Sequence, residues 1–247
     1  MTQPTSPRAS ALDDLVAVMD RLRSPGGCPW DAEQTHESLL PYAVEEVFEV
    51  VEAVEVGDRA ALLEELGDLL LQVVFHARVA QEHPTEPFGI EDVAAGVAAK
   101  LRARHPHVFG DVTVSGAEEV HRNWEAIKKA EKARASALDG IPRGMPALAR
   151  AENVAGRARR AGLPVDEVAT AVVGDRAAEQ PAGPVAGGAG EQDATAVGRR
   201  LLTLALEAQA AGIDAEAALR GAVRDLETAL RRRERDDGAS TVSDARV

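Results

Sequence analysis

Apolar side chains recur at three- and four-residue spacing along most of this chain, with polar residues between them. That period is typical of amphipathic α-helices, whereas half-buried strands alternate. It predicts helices at 11–23, 41–56, 59–82, 90–104 and 118–135, short helices around 136–164, and a last pair at 194–211 and 214–235. Aromatic residues make up only 3% of the chain, which further disfavours a strand-rich protein. We therefore predict an all-α helical bundle.

The second and third predicted helices form an antiparallel pair. Gly57 favours the end of the first helix, and Asp58 is a good N-cap for the next. A turn this short places consecutive helices side by side in opposite directions. The apolar residues expected to face inward are Val44, Val47, Phe48, Val51 and Val54 on one helix and Leu62, Leu63, Leu66, Leu69, Leu70, Val73 and Val74 on the other.

Composition divides the chain into segments. Residues 1–10 are polar and predicted to be disordered, a helical domain follows at 11–135, and a helical connector spans 136–173. The Gly-, Ala- and Pro-rich stretch 174–192 predicts a flexible linker, and 236–247 a disordered tail. Between them, the helical pair at 193–235 carries a repeat, because 198–208 keep the apolar pattern of 67–77. Arg199 and Ala196 stand where the first copy has Asp68 and Glu65, so this second repeat is degenerate.

Charge and cysteine usage exclude several classes of protein. The 247 residues carry 41 acidic and 28 basic side chains, a net charge of −13. Nucleic-acid polymers and anionic membranes need a basic surface, so neither is the expected partner. Cys28 is the single cysteine, which excludes an internal disulfide. The N-terminus lacks the apolar core of a secretory signal, and no apolar run approaches the ~20 residues that span a bilayer. We expect a cytoplasmic protein.

The most informative pattern is a pair of acidic clusters on either side of the Gly57–Asp58 turn. Glu45, Glu46 and Glu49 lie three and four residues apart on one helix, and Glu65 and Asp68 lie three apart on the next. Counted outward from the turn at ~1.5 Å per residue, Glu49 matches the height of Glu65, and Glu46 that of Asp68.

Carboxylates that meet across a helix interface repel one another and are costly to desolvate. A hard divalent cation such as Mg²⁺, which takes oxygen ligands, offsets both effects. Gly67 lies inside the second helix and leaves room for close approach of a metal or phosphate. Glutamates elsewhere on these helices are interpreted as a solvated surface: Glu52, Glu55, Glu64 and Glu82.

An acidic metal site for phosphates also needs cations and a surface for the base. Lys100 and Arg104 are four residues apart on the fourth predicted helix, and Lys128 follows Trp124 on the fifth. Each of these has an ordinary alternative, a long side chain lying along a helix surface or an aromatic at the edge of a core. Trp30 is suited either to stacking a base or to closing the end of the bundle.

Two other metal patterns are present. Glu33-x-x-His36 and Glu118-x-x-His121 match the Glu-x-x-His motif of di-iron bundles, although both lie outside the apolar period. His105 and His107 flank Pro106 with no thiolate nearby, which is poor zinc-site chemistry. The chain contains no P-loop, no Gly-x-Gly-x-x-Gly and no Gly-x-Ser-x-Gly motif.

Taken in order, the motifs resemble the MazG nucleoside triphosphate pyrophosphohydrolases over about 12–163. The segments that carry the resemblance are Gly27-Cys28-Pro29-Trp30-Asp31, Gln34-Thr35, Glu45-Glu46-x-x-Glu49, Glu65-x-x-Asp68, His105-Pro106-His107-Val108-Phe109 and Asn123-Trp124-Glu125-x-Ile127-Lys128. The resemblance implies an all-α MazG domain at 11–135. It also implies a homodimer and Mg²⁺-dependent hydrolysis of NTPs and dNTPs to monophosphate and pyrophosphate, a role in nucleotide-pool house-cleaning.

The same resemblance implies roles for single residues. Glu46, Glu49, Glu65 and Asp68 would be ligands of Mg²⁺, with Mn²⁺ as a possible substitute. Glu45 would be a further ligand or would orient the attacking water. Lys100, Arg104, Trp124 and Lys128 would hold the nucleotide, together with Trp30 if it stacks the base. The alternatives are a non-catalytic nucleotide-binding scaffold or sensor and a di-iron carboxylate protein.

Overall fold

The computed structural model describes the backbone of residues 10–132, 135–174 and 191–244, and their side chains apart from 125–126, 128–132, 191–193 and 236–244. All regular structure in these described ranges is helical, which confirms the all-α prediction. The chain divides into two compact units, and the boundary in the sequence falls between Glu131 and Lys132. None of the helices in the described residues is long and apolar enough to cross a membrane.

Seven helices belong to the first unit: α1 (Ala11–Arg23), α2 (Pro29–Glu33), α3 (His36–Val56), α4 (Arg59–Ala80), α5 (Ile90–Arg104), α6 (Pro106–Phe109) and α7 (Ala117–Lys132). α3 begins five residues before the predicted start, with Pro41 inside it. The reason is a capping box upstream, in which Ser38 N–H donates to Thr35 Oγ1 (3.2 Å) and Thr35 N–H to Ser38 Oγ (2.9 Å). These two bonds satisfy amides that the helix start leaves without partners.

The turn between α3 and α4 forms as the sequence predicts. Gly57 ends α3 in the left-handed conformation at φ 78°, which a side chain would disfavour. Asp58 Oδ1 accepts from the amides of Ala60 (2.9 Å) and Ala61 (3.1 Å). The two helices pack along each other as an antiparallel hairpin and carry the acidic residues to a common level.

The hydrophobic core of this unit lies at the end of the hairpin away from the Gly57–Asp58 turn. Met19, Leu39, Val74 and Phe75 are buried together, and Leu15, Val16, Leu71, Val79 and Ile90 pack against them. Much of the remaining hairpin surface is exposed in the single chain, contrary to the inward orientation predicted for Val44, Val47, Phe48, Val54, Leu63, Leu66, Leu70 and Val73. The prediction was wrong because α3 and α4 are apolar around much of their circumference, and the core covers only the end of the hairpin away from the turn.

A network of ion pairs joins α1 to the end of α4. Arg23 donates from Nε and Nη2 to the two carboxylate oxygens of Glu82, both at 2.9 Å. Arg78 donates to Asp20 (2.7 Å) and to Glu82 (2.9 Å). Both arginines hold the pKa of Glu82 below its usual value, with Arg23 the larger cause. Glu82 is exposed, as the sequence predicts, but its ion pairs with Arg23 and Arg78 were not predicted.

The second unit contains α8 (Ala147–Arg160), α9 (Val165–Val173), α10 (Glu191–Ala210) and α11 (Ala215–Asp244). α8 and α9 pack against α10, and α8 also packs against α11. Ala155 and Ala205 are almost fully buried, as expected where small residues allow close helix approach. The predicted connector is therefore part of this unit's packing. α11 also continues to Asp244, nine residues beyond its predicted end.

Candidate metal centre

Three carboxylates meet across the α3–α4 hairpin. Glu46 and Glu49 on α3 and Glu65 on α4 each offer an oxygen, and these oxygens lie within 4.8 Å of one another. This is the level that equal distances from the Gly57–Asp58 turn predict. Among the described residues, these are the three His, Cys, Asp or Glu side chains close enough together to hold one ion. We call them the acidic trio.

The other two predicted acids differ in position. Asp68 lies outside the trio, but it is near enough for its negative charge to raise the pKa of both Glu46 and Glu65. Glu45 is exposed and outside the trio.

Electrostatics at the trio favour protonation or a bound cation. Burial raises the pKa of Glu46, as do a hydrogen bond with Glu49 and the charges of Asp68, Glu49 and Glu65. Burial likewise raises the pKa of Glu65, followed by the charges of Glu49, Glu64 and Asp68. Both shifts show that the fully ionised set is under mutual repulsion when no cation shares the space.

The donor set fits a small hard divalent cation. All three groups are carboxylates, and Mg²⁺ takes oxygen ligands at about 2.0–2.1 Å in an octahedron. In that geometry neighbouring ligand oxygens are about 3 Å apart and opposite ones about 4 Å. The observed spacing needs only small side-chain rotations to reach it. No imidazole or thiolate, the ligands that zinc prefers, belongs to the trio.

Gly67 faces open space. It lies between Glu65 and Asp68 in the sequence of α4, and a Cβ added there would meet no atom within 4 Å. A glycine inside a helix costs about 1 kcal/mol relative to alanine, and no packing contact explains it here. Use of this space by a metal or phosphate stays a prediction.

Two of the predicted nucleotide-binding residues contact each other. The Arg104 guanidinium carbon lies 5.7 Å from the centre of the Trp124 ring, within range of a cation–π interaction. Arg104 is 8% exposed, whereas Lys100, one turn earlier, is exposed. The side chain of Lys128 lies outside the described residues.

Trp30 belongs to a different aromatic group. Its ring meets Tyr42 edge-on at 6.0 Å and Phe75 at 6.5 Å, while half of its surface stays exposed. Because Phe75 is part of the core, Trp30 closes the end of the bundle and still leaves surface for a ligand. The structure therefore accommodates both sequence interpretations of this residue.

One close pair was not anticipated. His36, at the start of α3, and His76, near the end of α4, stack in parallel with their Nδ1 atoms 2.8 Å apart. Burial lowers the pKa of His76, and the neighbouring His36 adds to this. His36 lies 21 residues before Gly57 and His76 lies 18 residues after Asp58, so the counting that matches the acids to within one residue does not pair these histidines.

The remaining metal patterns do not assemble. In the described structure neither Glu33 nor His36, and neither Glu118 nor His121, joins the acidic trio. A di-iron bundle site needs such Glu-x-x-His residues beside its other carboxylates. His105 makes a contact from Nδ1 to the carbonyl oxygen of Leu101 (2.7 Å). This arrangement gives the oxidoreductase interpretation no support.

Fold and site together define an all-α protein with a carboxylate cluster on an antiparallel hairpin, and comparison with known proteins agrees. Residues 34–109, which include the acidic trio, Glu45 and Asp68, match the model of the MazG nucleotide pyrophosphohydrolase domain. The chain is 46% identical over 219 residues to an uncharacterised 26.1 kDa protein of Streptomyces cacaoi, covering 88% of this chain and 80% of that one. The chain therefore belongs to the MazG family.

Two relatives carry names that state an activity. A nucleoside triphosphate pyrophosphohydrolase of Mycobacterium tuberculosis is 48% identical over 164 residues, covering 66% of this chain and 50% of the relative. The Escherichia coli K12 protein of the same name is 47% identical over 156 residues, covering 62% of this chain and 59% of the relative. The chain thus spans between half and three fifths of these two enzymes.

Proposed function

We propose that this protein hydrolyses nucleoside triphosphates, ribo- or deoxyribo-, to nucleoside monophosphate and pyrophosphate with Mg²⁺. The observation that carries the proposal is the acidic trio, three carboxylates within 4.8 Å across a rigid hairpin. Its support is membership of the MazG family and the names of two relatives. The region they share with this chain contains the trio.

We assign Glu46, Glu49, Glu65 and Asp68 to holding the cation. When bound, Mg²⁺ would neutralise charge on the triphosphate and lower the pKa of water. Mn²⁺ has similar ligand preferences and is expected to substitute. Because the pKa values of Glu46 and Glu65 are raised, protons compete with the cation for these two carboxylates more strongly than for ordinary glutamates.

Other side chains complete the proposed site. Glu45, which lies outside the trio, is assigned as a further ligand or as the group that orients the attacking water. Trp124 orients Arg104 through the contact at 5.7 Å, so the guanidinium is fixed before a phosphate arrives. Lys100 and Lys128 supply further positive charge to the phosphates, and Trp30 offers an exposed ring face to the base.

The test is product analysis with a panel of NTPs and dNTPs at fixed Mg²⁺, with Mn²⁺ and with chelator. We expect monophosphate and pyrophosphate in equal amounts with either metal, and neither product with chelator. Diphosphate with inorganic phosphate would overturn the assigned bond. Mg²⁺-dependent nucleotide binding without any product would favour the non-catalytic sensor.

We also propose that the first unit forms a homodimer. Leu63 is 77% exposed and Leu66 49%, and Val44, Val47 and Leu70 on the same hairpin are also exposed. Exposed apolar patches of this kind are characteristic of protein–protein contacts. A reaction that consumes nucleotides would act on the cytoplasmic pool, in a house-cleaning role.

A further inference from the structure

The last helix carries an apolar stripe that its own chain does not cover. Leu219, Val223, Leu226 and Leu230 are spaced four, three and four residues apart on α11, and each is between 44% and 59% exposed. A 3–4 spacing of this kind lines one side of a helix and is the pattern of a coiled-coil seam.

α11 contacts α8 and α10 through a different side. The partly buried residues of α11 are Ala215, Glu216, Ala217, Arg220, Gly221 and Arg224, and none of them belongs to the stripe. A helix that packed only within its chain would turn its leucines inward. Here the apolar stripe stays about half exposed, so it is available to a partner.

The spacings between successive residues of the stripe are four, three and four, the same from either end of the helix. If two copies of α11 are placed antiparallel about a point between residues 224 and 225, Leu219 faces Leu230 and Val223 faces Leu226. Each of the four layers then pairs two apolar side chains. A twofold contact of this type is isologous, with the same surface used by both copies.

Charged residues at the ends of the stripe select the antiparallel orientation. Within one chain, Glu216 lies 3.9 Å from Arg220 and Glu227 lies 3.4 Å from Arg231. The same alignment adds Arg233 of the second copy opposite Glu216 at each end and brings Arg220 near Glu227 of the second copy along one flank. Ala222 and Ala229 face each other along the other flank, where small side chains allow close approach. A parallel alignment would oppose Glu216 to Glu216 and Arg233 to Arg233, which like charges disfavour.

We propose that α11 pairs antiparallel with α11 of a second copy of this chain. The pairing needs none of the acidic residues, so it is independent of the proposed hydrolysis. In the second repeat, Ala196 and Arg199 replace the equivalents of Glu65 and Asp68. The pairing gives the second unit a function that does not need those acids. The second unit joins chains, while the metal centre belongs to the first.

The test is disulfide trapping in the full-length chain with Cys28→Ser as background. Two differently tagged variants, Leu219→Cys and Leu230→Cys, are co-expressed and oxidised with oxidised glutathione. A disulfide forms only when Cβ atoms approach to about 4 Å. We expect the mixed disulfide between the two variants to predominate, and little disulfide between like chains. Disulfides within each variant alone would indicate a parallel pair and overturn the proposal, as would the absence of any cross-link.

A negative charge placed in the stripe tests the same contact, and the same charge placed outside the stripe is the control. Leu226→Glu, added to the trapping background, should reduce the mixed disulfide about tenfold or more, because each copy then buries a carboxylate against Val223. Thr228→Glu adds the same charge outside the stripe and should leave trapping unchanged. Both side chains are exposed, so unchanged helicity by circular dichroism is expected for both. Equal trapping in Leu226→Glu and Thr228→Glu would contradict the proposal.

Discussion

Any one carboxylate of the acidic trio would be ordinary at its position on the helix. The three repel one another because they lie close together. The pKa of Glu46 and that of Glu65 are raised, first by burial and then by their acidic neighbours. An apolar residue at any of these positions would relieve the repulsion. The retained acids make sense if a cation shares the space during function.

This repulsion predicts how stability depends on pH. Because their folded-state pKa values lie above the unfolded ones, Glu46 and Glu65 destabilise the metal-free fold at high pH and cease to do so as pH falls through those values. Without Mg²⁺, Glu46→Gln should raise the melting temperature more at about pH 8 than at about pH 4, near the ordinary pKa of glutamate.

Glu52→Gln, on the exposed surface of the same helix, is the matched control and should show no such difference. Saturating Mg²⁺ should stabilise the wild type more at the higher pH, since binding competes with protons. If the effect of Glu46→Gln on melting temperature were independent of pH, the repulsion would not exist as described.

Gly67 allows the open space itself to be tested. Gly67→Ala should stabilise the fold by up to about 1 kcal/mol, because alanine favours a helix and the added Cβ meets nothing. It should nevertheless lower kcat/KM about tenfold or more if a metal or phosphate occupies that space, a loss of about 1.4 kcal/mol in transition-state binding.

Gly96→Ala is the control, since Gly96 also lies inside a helix and a Cβ added to it would meet no atom within 4 Å. It should give a similar gain in stability with unchanged kinetics. Full activity in Gly67→Ala would mean that no ligand uses the open space at Gly67.

The α3–α4 hairpin explains how much could be predicted from the sequence. Helical period, a glycine stop and an aspartate cap define the antiparallel pair, and counting from the turn then matches Glu49 with Glu65. Each of these steps uses only residues close together in the sequence, so local rules are enough to predict the hairpin. The same counting does not find the His36–His76 pair, because the two histidines differ by three residues in their distance from the turn.

Which apolar residues of the two helices are buried could not be predicted in this way. Val74 and Leu70 have the same chemistry and lie one turn apart, yet Val74 is 1% exposed and Leu70 40%. Which one is covered depends on where α1 docks, and periodicity within α4 does not contain that information. The ion pairs of Glu82 were missed for the same reason, because Arg23 is distant in the sequence.

The prediction of the nucleotide-binding residues was limited for the same reason, because it depends on how separate helices dock. The acids share one hairpin, so their meeting follows from its turn. Arg104 and Trp124 come from two helices whose docking no motif specifies, and the sequence grouped them only as possible nucleotide contacts. The placement of these cations around a bound triphosphate stays a prediction.

At the scale of the whole molecule, the boundary between units predicts which fragments fold. A fragment of residues 1–135 keeps α1 to α7 together and should retain hydrolysis within about threefold of the full chain. A fragment of residues 1–173 should be less soluble, because α8 loses α10 and exposes Ala155, which is 1% exposed in the intact chain.

Activity per folded chain and solubility after heating would measure both effects. A folded 1–135 fragment with no activity would show that the second unit contributes to the reaction. Equal solubility of the two fragments would show that α8 does not depend on α10.

Pyrophosphate release from an NTP is the most direct measurement of the central claim. Wild-type protein and the variants Glu49→Gln and Glu52→Gln are compared at fixed Mg²⁺ and equal helicity. Glu49 belongs to the acidic trio, and Glu52 lies three residues away on the same helix and is exposed. We expect activity at least about a hundredfold lower in Glu49→Gln and near wild-type activity in Glu52→Gln. Undiminished pyrophosphate release by Glu49→Gln would contradict the metal centre.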